Sequence, residues 1–162
     1  MRQAVATSLA IVVLAGLLSA QRDHGIPPSD IAQKCGSQIS WQPTLDAALV
    51  RAKEMKRPVF WYLATVPRSP MDRKPVIDMY MRAGPFSMPD VVSAINRRFI
   101  AVKAVPTKEQ VKEHHLAPLE FIEPGFLVLK PDRTEIGRVD RISMFHELWF
   151  VEVLNKILEA AY

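Results

Sequence analysis

Few residues in this chain could do covalent chemistry, and they are scattered. Among 162 residues there is one cysteine, Cys35, and there are four histidines. The thiolate is the working species of thiol–disulfide exchange. With one cysteine no internal disulfide can form, so Cys35 is a reactive thiol, half of an intermolecular bridge, or a tolerated side chain on a loose segment. Residues 65–73, TVPRSPMDR, offer Thr65, Arg68, Ser69 and Asp72 as polar groups. No neighbouring base is evident to deprotonate Ser69, and no spacing supports a triad of Ser69, a histidine and Asp72. His114 and His115 are adjacent, so on a helix they point about 100° apart and do not chelate one ion. No cysteine or acidic cluster stands near them at ligand spacing, and the pair is expected on a solvated helix surface. His146-Glu147 lacks the second histidine of a His-Glu-x-x-His motif, because position 150 is Phe. No glycine-rich phosphate loop is present. Met71, Met79, Met81 and Met88 could form an adaptable binding surface, and core filling is the expectation for most of them. The chain thus nominates no catalytic residue, no metal and no cofactor.

Composition narrows the class. Hydrophobic residues make up 49% and charged residues 23%, a globular profile for one domain of ordinary size. The net charge is +4, but the basic residues stand as pairs, Lys56-Arg57 and Arg97-Arg98, and not as runs. A nucleic-acid surface would call for a clustered basic stripe, so no nucleic-acid partner is expected.

Residues 1–20 have the build of a secretory signal peptide: Arg2, an apolar run over 4–18, then Leu18-Ser19-Ala20 before Gln21. The alternative is an uncleaved membrane anchor, for which the run is short. Export to a periplasm, cell envelope or extracellular space follows as an expectation. Residues 21–40, with Gly25, Pro27, Pro28 and Gly36, read as a flexible arm or linker. Order is expected from about Ile39 and Trp41, and residues 41–162 form the domain.

The elements alternate. Thr44 caps a helix over 45–56, with Leu45, Ala48, Leu49 and Ala52 on one face and Pro58 stopping it. Residues 59–64, VFWYLA, suit a strand buried on both faces. A helix starts at Pro75 and breaks at Gly84-Pro85. Ser87, with Asp90 three residues on, caps a second helical stretch burying Val91, Val92 and Ile95. Residues 99–105 are a strand. Thr107 and Gln110 spell a capping box that opens a short helix to about Leu116. Residues 126–130 and 135–140 form a hairpin across the Pro131-Asp132-Arg133-Thr134 turn. Ser143 caps a last helix bearing Phe145, Leu148, Trp149, Val153, Leu154, Ile157 and Leu158. Alternating strands and helices demand parallel pairing with right-handed crossovers, and the hairpin adds an antiparallel edge.

Three stretches give this order a family likeness: ISWQPTLDAALVRAKEMKRPVFWYLA, MPDVVSAINRRFIAVKA and IEPGFLVLKPDRTEIGRV. In series they resemble exported domains of the thioredoxin-like superfamily over about 120 residues. The resemblance implies an α/β three-layer sandwich: a central mixed sheet of parallel strands plus a C-terminal antiparallel hairpin, flanked by helices, with an extra N-terminal helix. Two departures stand out. The family carries Cys-x-x-Cys where this chain has residues 65–73, and Arg133 replaces a glycine in the hairpin turn. That replacement is expected to be tolerated in a turn needing no positive φ.

The resemblance also implies that Glu123-Pro124 occupies the family's cis-proline position, beside the cysteine-less loop, where exposed backbone pairs with an extended peptide. The alternative is that Pro124 only starts a strand. The implied function is a redox-inactive, non-catalytic module that binds a protein or peptide through Thr65, Arg68, Ser69, Asp72 and the surroundings of Pro124. The rival is a thiol enzyme acting through Cys35 by mixed disulfides.

Overall fold

A computed structural model describes residues 34–64 and 74–161. The expected cleavage region and most of the arm lie outside the described residues, as do Thr65, Arg68, Ser69, Asp72 and Met71.

The central strand explains the rest. Residues Val59–Leu63 (β2) are buried throughout, so the strand needs covering on both faces. It pairs parallel with β3 (Ile100–Ala104) and antiparallel with β4 (Gly125–Leu129). A two-residue β1 (Trp41–Gln42) extends the sheet beyond β3, and β5 (Glu135–Val139) closes the other edge, giving the order β1-β3-β2-β4-β5. Alternation sends Phe60, Tyr62, Phe126 and Val128 to one face and Val59, Trp61, Leu63, Leu127 and Leu129 to the other.

Helices cover each face. On the first lie α2 (Lys74–Ala83), α3 (Pro89–Arg98) and α5 (Glu147–Ala161), where Phe60, Phe86, Phe126 and Phe150 pack ring against ring. On the second lie α1 (Leu45–Met55) and the short α4 (Lys108–Glu113). Ala48 and Ala52 are fully buried, and their small side chains let α1 come close to the sheet. This is the expected three-layer α/β sandwich.

Several local expectations hold and others need correction. Thr44 caps α1 by accepting from the Ala47 N–H, and Thr107 with Gln110 forms the complete capping box of α4. Ser87 does not cap α3. Its hydroxyl donates to the Arg82 carbonyl and accepts from the Gly36 N–H, while Pro89 opens α3 without a side-chain cap. Ser143 does not cap α5 either, since the chain stays irregular to His146, whose Nδ1 accepts from the Leu148 N–H. Leu148 is exposed, and Phe150 is the buried residue of that turn. Of Met79, Met81 and Met88, only Met81 is in the core.

The hairpin turn also differs. Arg133 adopts φ 74°, the left-handed region, so the turn does require the conformation that glycine supplies best. Between Val128 and Leu129 the β4–β5 register slips, pairing Leu129 with Glu135 but Val128 with Gly137. This bulge leaves Glu135 and Arg138, three residues apart, on the same face of the sheet.

Gly125 is where the hairpin tolerates least. A Cβ there would lie 2.2 Å from the Val139 carbonyl oxygen and 2.8 Å from that of Asp140. We predict that Gly125→Ala destabilises the protein by at least the ~1–3 kcal/mol usual for overpacking. A urea titration checks this through a lowered midpoint.

Candidate functional site

Strand β2 ends at Leu63, directly before residues 65–73. Beside that end lies a cleft of about 230 Å³. Its apolar lining is Leu63, Leu116, Ala117 and Ile122, and its polar rim is His115, Glu123, Arg138 and Asp140. Glu123 is one of the residues that line the cleft. The expectation of a cis bond is corrected: no described peptide bond is cis, so Glu123–Pro124 is trans. Pro124 enters β4 as an ordinary strand leader, and its carbonyl accepts from the Ile142 N–H at 2.9 Å. The ion pair between Arg141 and Glu123, at 3.0 Å, straps the same two segments together.

On the other face, the buried Tyr62 donates its hydroxyl to Asp78 Oδ1 on α2 at 2.6 Å. Burial, then this bond and the Asp78 charge, push the phenol far above its ordinary value. It stays protonated and serves as a tie between β2 and α2. Cys35 is half-buried at the opposite end of α2. Its neighbour Gly36 packs on Arg82, about 12 Å along the helix from Lys74, the first residue after 65–73. Bonds that hold the segment there include Gly36 N–H to Ser87, Ser40 N–H to Asn96, and the Asn96 amide to the Gln38 carbonyl.

The residue that sequence reading misplaced is His114. It is not solvated: it is 5% exposed, with its ring edge-to-face against Trp61 at 5.7 Å. A signal was present, since position 114 is three residues beyond Val111 and shares its inward face. The helix also ends earlier than expected. His114 is the cap residue, and His115 takes φ 49°. The Leu116 N–H then donates to the Val111 carbonyl and the His115 N–H to that of Lys112, the Schellman arrangement with histidine in glycine's usual place.

Around His114 the bulge assembles charge. Arg138 grips Glu135 with both fork nitrogens, donates to the His114 carbonyl at 2.7 Å, and approaches Asp140 at 3.5 Å. Arg133 bridges Asp46 of α1 at 2.6 Å and Glu113 of α4 at 3.5 Å. Among the described residues, no group of three or more histidine, cysteine or acidic side chains is placed to hold a metal ion.

Comparison with solved structures identifies the fold. The solution structure of a thioredoxin from Thermus thermophilus matches with a TM-score of 0.57 at 20% identity, over 75% of this chain and 88% of that one. A DsbH oxidoreductase matches with a TM-score of 0.51 at 11% identity, over 75% of this chain and 83% of that one. The protein therefore has the thioredoxin-like fold, carried by a chain with one cysteine. No family model matches the sequence, and no curated protein does.

The His115 conformation gives a direct test of the turn. We predict that His115→Gly, relieving a left-handed non-glycine residue, stabilises the protein by about 1 kcal/mol. Its urea midpoint rises with an unchanged slope.

Proposed function

We propose that this protein is an exported, redox-inactive thioredoxin-like module that binds a protein or peptide at the end of the sheet beyond Leu63. The observation that carries the reading is the cleft itself. It combines an apolar floor with charged groups on the rim, a pairing suited to side chains of an extended segment. The single cysteine supports it from the other side, because the chain has no second thiol to resolve a mixed disulfide. The placement of Cys35 argues against the rival thiol enzyme. Carrying Cys35 to the Leu63 end of β2 would require the 36–40 segment to leave Ser87 and Asn96. The apolar run over 4–18 motivates the export part of the proposal, which predicts a mature protein beginning at Gln21.

The test is a tagged pulldown from the native host, resolved on non-reducing gels. It compares wild type, Cys35→Ser and Ala117→Arg, the last placing a long side chain from an exposed position into the cleft. We expect wild type and Cys35→Ser to retain the same partner, and Ala117→Arg to lose it by about tenfold or more. A high-mass band that disappears in Cys35→Ser would overturn the reading in favour of thiol chemistry. So would reduction of a model disulfide by the purified protein at thioredoxin-like rates. Retention unaffected by Ala117→Arg would remove the cleft from the proposal.

A further inference from the structure

His114 is a buried titratable side chain that the binding reading does not use, and its Nε2 has no hydrogen-bond partner. Neutral imidazole tolerates this, because one ring nitrogen is then only an acceptor. Imidazolium does not, because both nitrogens become donors in a place that water scarcely reaches.

The surrounding charges decide what a proton would do. From its own helix, Glu113 stands 4.0 Å from Nε2; from β5, Glu135 stands 4.0 Å from Nδ1. Both distances exceed a hydrogen bond. Both carboxylates are already engaged, Glu113 with Arg133 of the hairpin turn and Glu135 with Arg138 of β5. Strand β2 contributes Trp61, which does not titrate. Asp46 of α1 and Asp140 meet the two arginines from exposed positions, each with a side chain 74% accessible, where water screens their charge. A protonated ring must move to bring a nitrogen within hydrogen-bond reach of Glu113 or Glu135, or turn outward into water. Either motion unseats His114, and His115 already holds the strained left-handed conformation in the next position.

We propose that His114 is an acid-released latch on the cleft: gaining a proton unseats its ring from Trp61 and loosens the 114–117 turn that forms one wall. The functional meaning of the latch rests on the binding reading above. Its location supports the link, since His115, Leu116 and Ala117 line the cleft and follow His114 in the chain. Arg138, another lining residue, is bonded to the His114 carbonyl.

The direction follows from linkage. Burial is the largest influence and holds the imidazole below its ordinary value. Glu113 and Glu135 pull it back up, and Arg138 and Arg133 push it down. The folded state therefore prefers neutral His114. The resulting stability is complete above the ordinary histidine value of ~6.5 and is lost as pH falls from there through the folded-state value.

The experiment uses the isotope-labelled protein without any partner. The His114 ring is titrated by NMR, and amide protection at Leu116, whose N–H is held by the Val111 carbonyl, is measured in steps from about pH 7.5 to about pH 5. We expect protection at Leu116 to fall about tenfold in acid, with a midpoint matching the ring titration, and to be pH-independent in His114→Gln. Unchanged protection in wild type, or an equal loss in His114→Gln, would overturn the latch. Should the variant not fold, a loss of protection whose midpoint departs from that of the His114 ring overturns it in wild type alone. Because no ligand is present, the two readings fail separately. Acid loosening of the turn with no partner captured at about pH 7.5 leaves the latch standing and ends the binding reading.

Discussion

Burial of β2 on both faces is the constraint from which the architecture follows. Five consecutive residues, Val59 to Leu63, include Phe60, Trp61 and Tyr62, none of them with measurable exposure. Large aromatics placed alternately up and down contribute much of the apolar burial available to a domain of this size. They also leave two polar atoms to satisfy, and each is satisfied locally. The Trp61 indole donates to the Ala104 carbonyl at 3.1 Å, and the Tyr62 hydroxyl donates to Asp78. Strand β3 is thereby fixed through an indole as well as through its ladder, and α2 is fixed through a carboxylate. Neither tie involves a thiol.

The bulge in β4–β5 is the second organising feature, and its effect is electrostatic. In an unbroken strand Glu135 and Arg138 would face opposite ways. The slip at Val128/Leu129 brings both to the face that carries Trp61 and His114. The resulting pairs tie the hairpin to α4 and, through Arg133, to α1. Their contribution to global stability is small: half-exposed ion pairs are worth about 0–1 kcal/mol each, while a left-handed Arg133 costs ~1–2 kcal/mol. The balance near zero argues that this cluster sets geometry more than it adds stability. What it positions is the end of α4 and with it the following turn, whose His115, Leu116 and Ala117 line the cleft.

The sequence revealed elements more readily than ends and turns. Helix α1 was legible because the Thr44 cap, the Leu45/Ala48/Leu49/Ala52 face and Pro58 all agree. Strand β2 was legible because an apolar run of β-formers has few other stable uses. Ser87 and Ser143 misled because a serine before a helix also serves tertiary contacts, and Ser87 binds Arg82 and Gly36 instead. The left-handed His115 and Arg133 carried no glycine to announce them. The bulge was invisible because pairing register depends on the partner strand. His114 was misjudged through attention to its neighbour His115: one of the two had to follow Val111 inward, and that one lost its solvent.

These misreadings are spread through the fold: the bulge at Val128/Leu129 lies at the Val59 end of β2 and Ser87 before α3, while His114 and His115 stand at the cleft. Most core-facing positions obey propensity and periodicity, whereas the cleft's surroundings hold a left-handed histidine and an orphaned imidazole nitrogen. Departures from local consistency mark the places where a chain answers to something other than folding. A region under structural selection alone would let a glycine take position 115 and an apolar residue take position 114, since each change removes a cost from the folded state. Both of these costs instead stand in the turn that forms one wall of the cleft. The turn at His114 and His115 therefore carries an arrangement that stability alone does not explain.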